Sequence, residues 1–163
     1  ISDSYASGTI TGDSRLGGAV GEISTSDLTI TRFYSSMDLN AGSDGVSGGL
    51  LGIAVGVSPI AITDSFVTGQ VVCSAVGGPI GMGTCGSLIG SDNGSMTITN
   101  SHYNGAAAIT NDGAGGLWTE PLGVTAQASA AWFHNPSNIP LTLWNFTTVW
   151  QSNLGSAALP TLR

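Results

Sequence analysis

Apolar and polar residues alternate in short runs along this chain, and no window sustains a helical period. The clearest runs begin on isoleucine. One reads Ile1-Ser2-Asp3-Ser4-Tyr5-Ala6-Ser7-Gly8-Thr9-Ile10, and another reads Ile62-Thr63-Asp64-Ser65-Phe66-Val67-Thr68-Gly69-Gln70-Val71. On an extended strand, Ile1, Asp3 and Tyr5 fall on one face and Ser2, Ser4 and Ala6 on the other; Ile62, Asp64 and Phe66 share a face by the same rule. The runs are rich in Ile, Val, Thr, Tyr and Phe, which suits strands. Asp44-Gly45, Asn93-Gly94 and Asp112-Gly113 mark turns between them.

The runs recur. A third copy is Ile98-Thr99-Asn100-Ser101-His102-Tyr103, and a degenerate one is Ile30-Thr31-Arg32-Phe33-Tyr34-Ser35. The degenerate copy lacks the Asp/Asn-Ser pair and the glycine after it, which predicts a bent or reshaped unit there. A second motif keeps phase with the first: Gly17-Gly18-Ala19-Val20-Gly21, Gly48-Gly49-Leu50-Leu51-Gly52 and Gly86-Ser87-Leu88-Ile89-Gly90. The unit holding Gly86 is longer, which predicts a loop between Gly69 and Gly86. A strand unit of roughly 30 residues cannot bury its apolar face alone and stacks on its neighbours. The pattern therefore predicts an all-β chain. Residues 1–104 are expected to form a β-solenoid-like stack of about four Gly-rich repeats, and residues 105–163 a Trp-rich closing segment of the same structural domain. A β-sandwich is the alternative. Trp118, Trp132, Trp144 and Trp150 all follow the repeats. They read as the core of a cap over the last coil, with a sugar-binding platform as the other reading.

Gly-Gly-Leu-Leu-Gly at 48–52 followed by Ile-Thr-Asp-Ser-Phe-Val-Thr-Gly at 62–69 resembles the GLUG repeat. Trp144 to Trp150, and then Leu159-Pro160-Thr161-Leu162-Arg163, resemble the closing segment that follows such repeats. The resemblance implies a secreted or surface-anchored bacterial or archaeal protein of a class that includes adhesins and some surface peptidases. It implies no particular activity, because the repeat is a scaffold.

Charge narrows the function. Of 163 residues, 41% are apolar but only 8% are charged, against about 25% in an ordinary soluble domain. Lysine is absent, the cations are Arg15, Arg32 and Arg163, and the net charge is −7. A phosphate-neutralising nucleic-acid surface is excluded, since its cations are missing. A surface this poor in charge is solvated by hydroxyls and glycans, or is covered by neighbouring subunits. The uncharged stretch from Gly45 to Thr63 is long enough to span a bilayer. Its Gly and Pro content and its place in the repeat assign it to buried strands instead, so no membrane span is expected. The chain opens on Ile1 inside a repeat, with no basic-then-apolar leader pattern.

Candidate chemistry is sparse. Cys73 and Cys85 are the only cysteines. An internal disulfide fits an extracellular chain, and buried free thiols or bridges between subunits remain open. A zinc site would need further ligands, and His102 and His134 lie far away in sequence. His102 occupies the aromatic slot of a repeat, and His134 sits in a loop-like Phe-His-Asn-Pro. Asp3 and Asp64 hold equivalent positions and could stack, but local backbone bonding is the simpler role. The oxygen-rich turns at 91–94 and 111–113 match no calcium motif. Asn93-Gly94-Ser95 and Asn145-Phe146-Thr147 are glycosylation sequons; Asn93, in an expected turn, is the better placed. No nucleophile motif is present, so no enzyme and no cofactor are expected. An open first strand without lysine points to head-to-tail self-association. The chain is expected to be an extracellular, self-assembling structural protein, a homopolymer of sheath, surface-layer or filament type. An adhesin that displays loops to a host or glycan is the alternative.

Overall fold

The computed structural model describes residues 1–24, 26–42, 45–56, 59–73, 84–92, 95–107, 109–111, 124–153 and 158–163. The fold is all-β and its repeats pair in parallel. The first rung holds β1 (Ser2–Gly12), β2 (Arg15–Gly17) and β3 (Val20–Ser24). The second holds β4 (Leu28–Ala41), β5 (Val46–Gly48) and β6 (Leu51–Val55). In the third, β7 (Ile60–Thr63), β8 (Phe66–Val67) and β9 (Val71–Cys73) match β4, and β10 (Cys85–Gly86) and β11 (Ile89–Asp92) follow. The fourth holds β12 (Met96–Thr99), β13 (Ser101–Asn104) and β14 (Ile109–Asn111), and β15 (Val124–Gln127) pairs with β13 beyond it. The equivalent strands form three parallel sheets. One has nine strands, with β12-β7-β4-β8-β13-β15 in order, β1 and β9 on β4, and β14 on β9; the others are β10-β5-β2 and β11-β6-β3. Register follows the sequence motif: Ser2 lies opposite Thr31, Thr31 opposite Thr63, and Thr63 opposite Thr99. No α-helix occurs among the described residues.

The isoleucine motif makes a corner. Asp3, Arg32, Asp64 and Asn100 have φ of 47°, 49°, 51° and 50°. Asp and Asn enter this left-handed region more readily than other side chains. The corner shifts the alternation by one residue. Ile62, Ser65 and Val67 turn inward, while Phe66 faces the opposite side and joins a separate aromatic cluster. The simple strand rule had placed Ile62 and Phe66 together, and the left-handed residue between them is why they part. The Ile30 copy is not reshaped either. Arg32 takes the same conformation as its equivalents, because the guanidinium finds a partner in the rung before it.

The serine of the motif serves the corner. Ser65 Oγ accepts from the Phe33 N–H at 3.2 Å and donates to the Thr63 carbonyl at 2.8 Å. Ser101 repeats this one rung on, accepting from the Ser65 N–H at 3.3 Å and donating to Thr99 at 3.1 Å. A hydroxyl thus satisfies buried backbone groups where the strand ladder is interrupted.

The glycine motif closes the opposite side. The Gly18 N–H reaches the Gly49 carbonyl at 3.2 Å, and the Gly49 N–H reaches the Ser87 carbonyl at 3.1 Å. A Cβ on Gly49 would collide with the Ser87 carbonyl oxygen and the Val67 side chain. The following leucines, Leu50 and Leu88, are fully buried with Ile30, Leu51, Ile62 and Ile89 in the aliphatic core.

Two expectations for residues 105–163 are corrected. Strands β14 and β15 continue the parallel pairing past residue 104. The described part of the Trp-rich segment is not seen over the last rung. It contains 3-10 turns at Ala130–His134 and Leu141–Leu143 and an antiparallel pair, β16 (Trp150–Gln151) with β17 (Thr161–Leu162). It packs against the side of the stack, where the aromatic of each corner faces outward and supplies the apolar surface it covers.

Candidate functional site, a lateral aromatic clasp and open rung edges

The outward aromatics line up in register. Tyr5 stacks on Tyr34 and Tyr34 on Phe66, each with ring centres 5.0 Å apart, and His102 lies opposite Phe66 in the next rung. The closing segment runs back along this column. Phe133 stacks on Phe66 at 4.3 Å, and Trp144 lies 5.4 Å from Phe66 and 6.3 Å from Tyr34. Trp150 lies 6.0 Å from Tyr34 and 6.5 Å from Tyr5. Such pairs are each worth about 0.5–1.5 kcal/mol beyond the area they bury. Polar tips fix the alignment. Trp144 Nε1–H donates to the Asp64 carbonyl at 2.9 Å, and the Tyr34 hydroxyl donates to the Pro160 carbonyl at 2.8 Å. Burial, aided by the neighbouring Tyr5, pushes the Tyr34 phenol well above its ordinary range. The clasp therefore ties the third rung to the first.

The corner residues form a second column. Arg32 donates from Nε and Nη2 to the two carboxylate oxygens of Asp3 at 2.7 and 2.6 Å, and Trp150 Nε1–H reaches Asp3 at 3.4 Å. The Arg32 hydrogen bonds hold the Asp3 carboxyl below its ordinary value against the opposing effect of burial. Asn100 Nδ2 donates to Asp64 at 2.8 Å. Asp3 and Asp64 thus share a column with Arg32 between them, an arrangement that neutralises charge rather than pairing two carboxylates. His102 is buried, and burial lowers its pKa. Its Nδ1 lies 3.1 Å from Gln127 Nε2 and its Nε2 lies 3.4 Å from Asn100 Oδ1. A neutral ring with its proton on Nε2 satisfies both contacts.

Cys73 and Cys85 form a disulfide with Cα atoms 6.0 Å apart. Their parallel partners are Ala41 and Ser47, six residues apart in sequence where the cysteines are twelve apart. The bridge therefore closes the base of a six-residue insertion, at the longer unit expected from the motif spacing. No group of three His, Cys, Asp or Glu side chains suited to a metal occurs among the described residues. His134 ends a 3-10 turn, away from His102 in the chain. Asn145 is exposed at a turn of the clasp. Asn93, Trp118 and most of the two oxygen-rich turns lie outside the described residues.

The rung edges complete the candidate surface. Among the described residues β1 pairs only with β4, and at the far end β10, β11, β12, β14 and β15 each pair on one side only. Sequence reasoning missed the clasp surface and the Arg32 bridge. The in-phase outward aromatics Tyr5, Tyr34 and Phe66 were the available signal for the first. No family model, no curated protein and no solved structure matches the chain.

Proposed function

We propose that this chain is a structural, self-assembling protein of the cell exterior, a β-solenoid whose copies add end to end into a sheath, surface layer or filament. One observation carries the reading: among the described residues, strand β1 and the strands of the last rungs each pair on one side only, and the pairing between rungs is parallel throughout. Contact between them would repeat the parallel pairing already made from rung to rung within the chain, and a heterologous contact that does not close on itself propagates. Strand β1 lacks two of the usual edge guards. It has no Lys or Pro over eleven residues, and Tyr5 and Ile10 are 41% and 36% exposed.

Other features support the same reading. The disulfide suits an oxidising compartment, and no helix among the described residues is long and apolar enough to cross a membrane. The GLUG-like motifs point to the same setting. Asp3, Arg32, Asp64 and His102 are engaged in structural bonds, which favours a scaffold. Sedimentation velocity over a concentration series tests the proposal: growth to large species with concentration is expected, and a single monomeric species throughout would refute it. A second reading, an adhesin, draws on exposed Trp132, Ile139 and Leu143 on the outer side of the clasp. Specific retention of the chain on a glycan array would favour it.

A further inference from the structure

The clasp contains a loop whose chemistry the fold does not use up. Asn145 follows the buried Trp144, and the loop returns to the buried Trp150. Between them the chain turns on Asn145. Its Oδ1 accepts from the N–H groups of Thr147 and Thr148, both at 3.0 Å. Its carbonyl accepts from the N–H groups of Val149 at 3.2 Å and Trp150 at 2.9 Å. The side chain is thus held in one orientation on the surface, with Phe146 tucked against the aromatic cluster and Thr147 exposed. Its Nδ2 donates one hydrogen to Thr148 Oγ1 at 2.8 Å. An amide nitrogen carries two, so the second is available for substitution without breaking that bond.

We propose that Asn145 carries an N-linked glycan. The sequon Asn145-Phe146-Thr147 supplies the acceptor amide and the hydroxyl two residues on that such transfer requires. The co-reactant is a lipid-pyrophosphate-linked oligosaccharide. The Nδ2–C1 bond forms, the C1–O bond to the pyrophosphate breaks, Nδ2 gives up one proton, and the lipid pyrophosphate leaves. The position suits the rest of the molecule. Trp144 is bonded to the third rung and Trp150 to the first, so a glycan at Asn145 stands on the flank of the stack. Beside it Leu143 is 59% exposed, and a neutral glycan would cover that apolar surface in a chain with few charges to solvate it.

Peptide mass spectrometry of protein from its native source tests the assignment, with three variants made in the same host. The Asn145 peptide is expected to carry a glycan mass, and enzymatic release of N-glycans converts its asparagine to aspartate. Thr147→Ser keeps the glycan. Thr147→Val and Asn145→Asp lose it fully, while both keep the backbone turn, since the Thr147 N–H and an Oδ1 acceptor remain; native tryptophan fluorescence checks that the fold persists. An unmodified Asn145 in the native protein would overturn the proposal. So would a glycan found only at Asn93, or one that survives Thr147→Val.

Discussion

Ser65→Ala is the sharpest probe of how the corners are built. Ser65 is fully buried, and its hydroxyl is the partner of the Phe33 N–H at 3.2 Å and the Thr63 carbonyl at 2.8 Å. Alanine fits the space but leaves both backbone groups without that partner. An unsatisfied buried donor or acceptor costs about 1–3 kcal/mol, and removing the hydroxyl itself offsets part of this, so a net loss of about 2 kcal/mol is expected. For a chain of this size that is a fall of about 4–8 °C in midpoint. Ser4→Ala is the control. Ser4 Oγ donates only to the Ser2 carbonyl, in an exposed bond that water can replace, so its effect stays within about 0.5 kcal/mol. Urea unfolding at dilute protein, followed by the fluorescence of the buried Trp144 and Trp150, measures both. If Ser65→Ala is as stable as Ser4→Ala, or more stable than the parent, the serine is a passive small residue and the corner account is wrong.

Three further outcomes follow from the same contacts. Trp150→Ala removes rings packed against Tyr5, Tyr34 and Trp144; a loss of about 3–5 kcal/mol is expected in urea unfolding, and hydrogen exchange should show β1 losing protection before the aliphatic core does. Replacing both Cys73 and Cys85 by serine releases a short closed loop, with an expected cost of about 2–3 kcal/mol and no change in the parallel core by circular dichroism. Because burial lowers the folded-state pKa of His102, the unfolded chain takes up a proton that the folded chain refuses as pH falls below about 6.5. Stability should therefore fall on acidification from about pH 7 to 5, and His102→Phe should flatten that fall.

The repeat was legible because its motifs are local chemistry. Gly17-Gly18 and Gly48-Gly49 mark where backbones pass too closely for a side chain, and the Asp/Asn-Ser pair marks a left-handed residue followed by a hydroxyl that repairs the ladder. The strand faces were misjudged for the same reason: one left-handed residue resets the alternation, and period-two counting assumes that none occurs. Arg32 looked like a defect because its role depends on register. Only when Thr31 is placed opposite Ser2 does Arg32 meet Asp3. The Trp-rich segment was recognised as a covering element, but its described residues cover the side of the stack rather than its end. Tryptophans in sequence announce buried area; which surface they bury is set by Tyr5, Tyr34 and Phe66 from three different rungs.

In the proposed assembly, rungs that pair in parallel within one chain continue from copy to copy. Fibre diffraction, or cryo-electron microscopy of concentrated protein, tests it most directly. Filaments with a spacing of about 4.8 Å along the axis, the distance between paired strands, and a subunit repeat of four to five such spacings, about 19–24 Å, are expected. Discrete particles of one chain at every concentration would contradict it, as would filaments whose strands run along the axis.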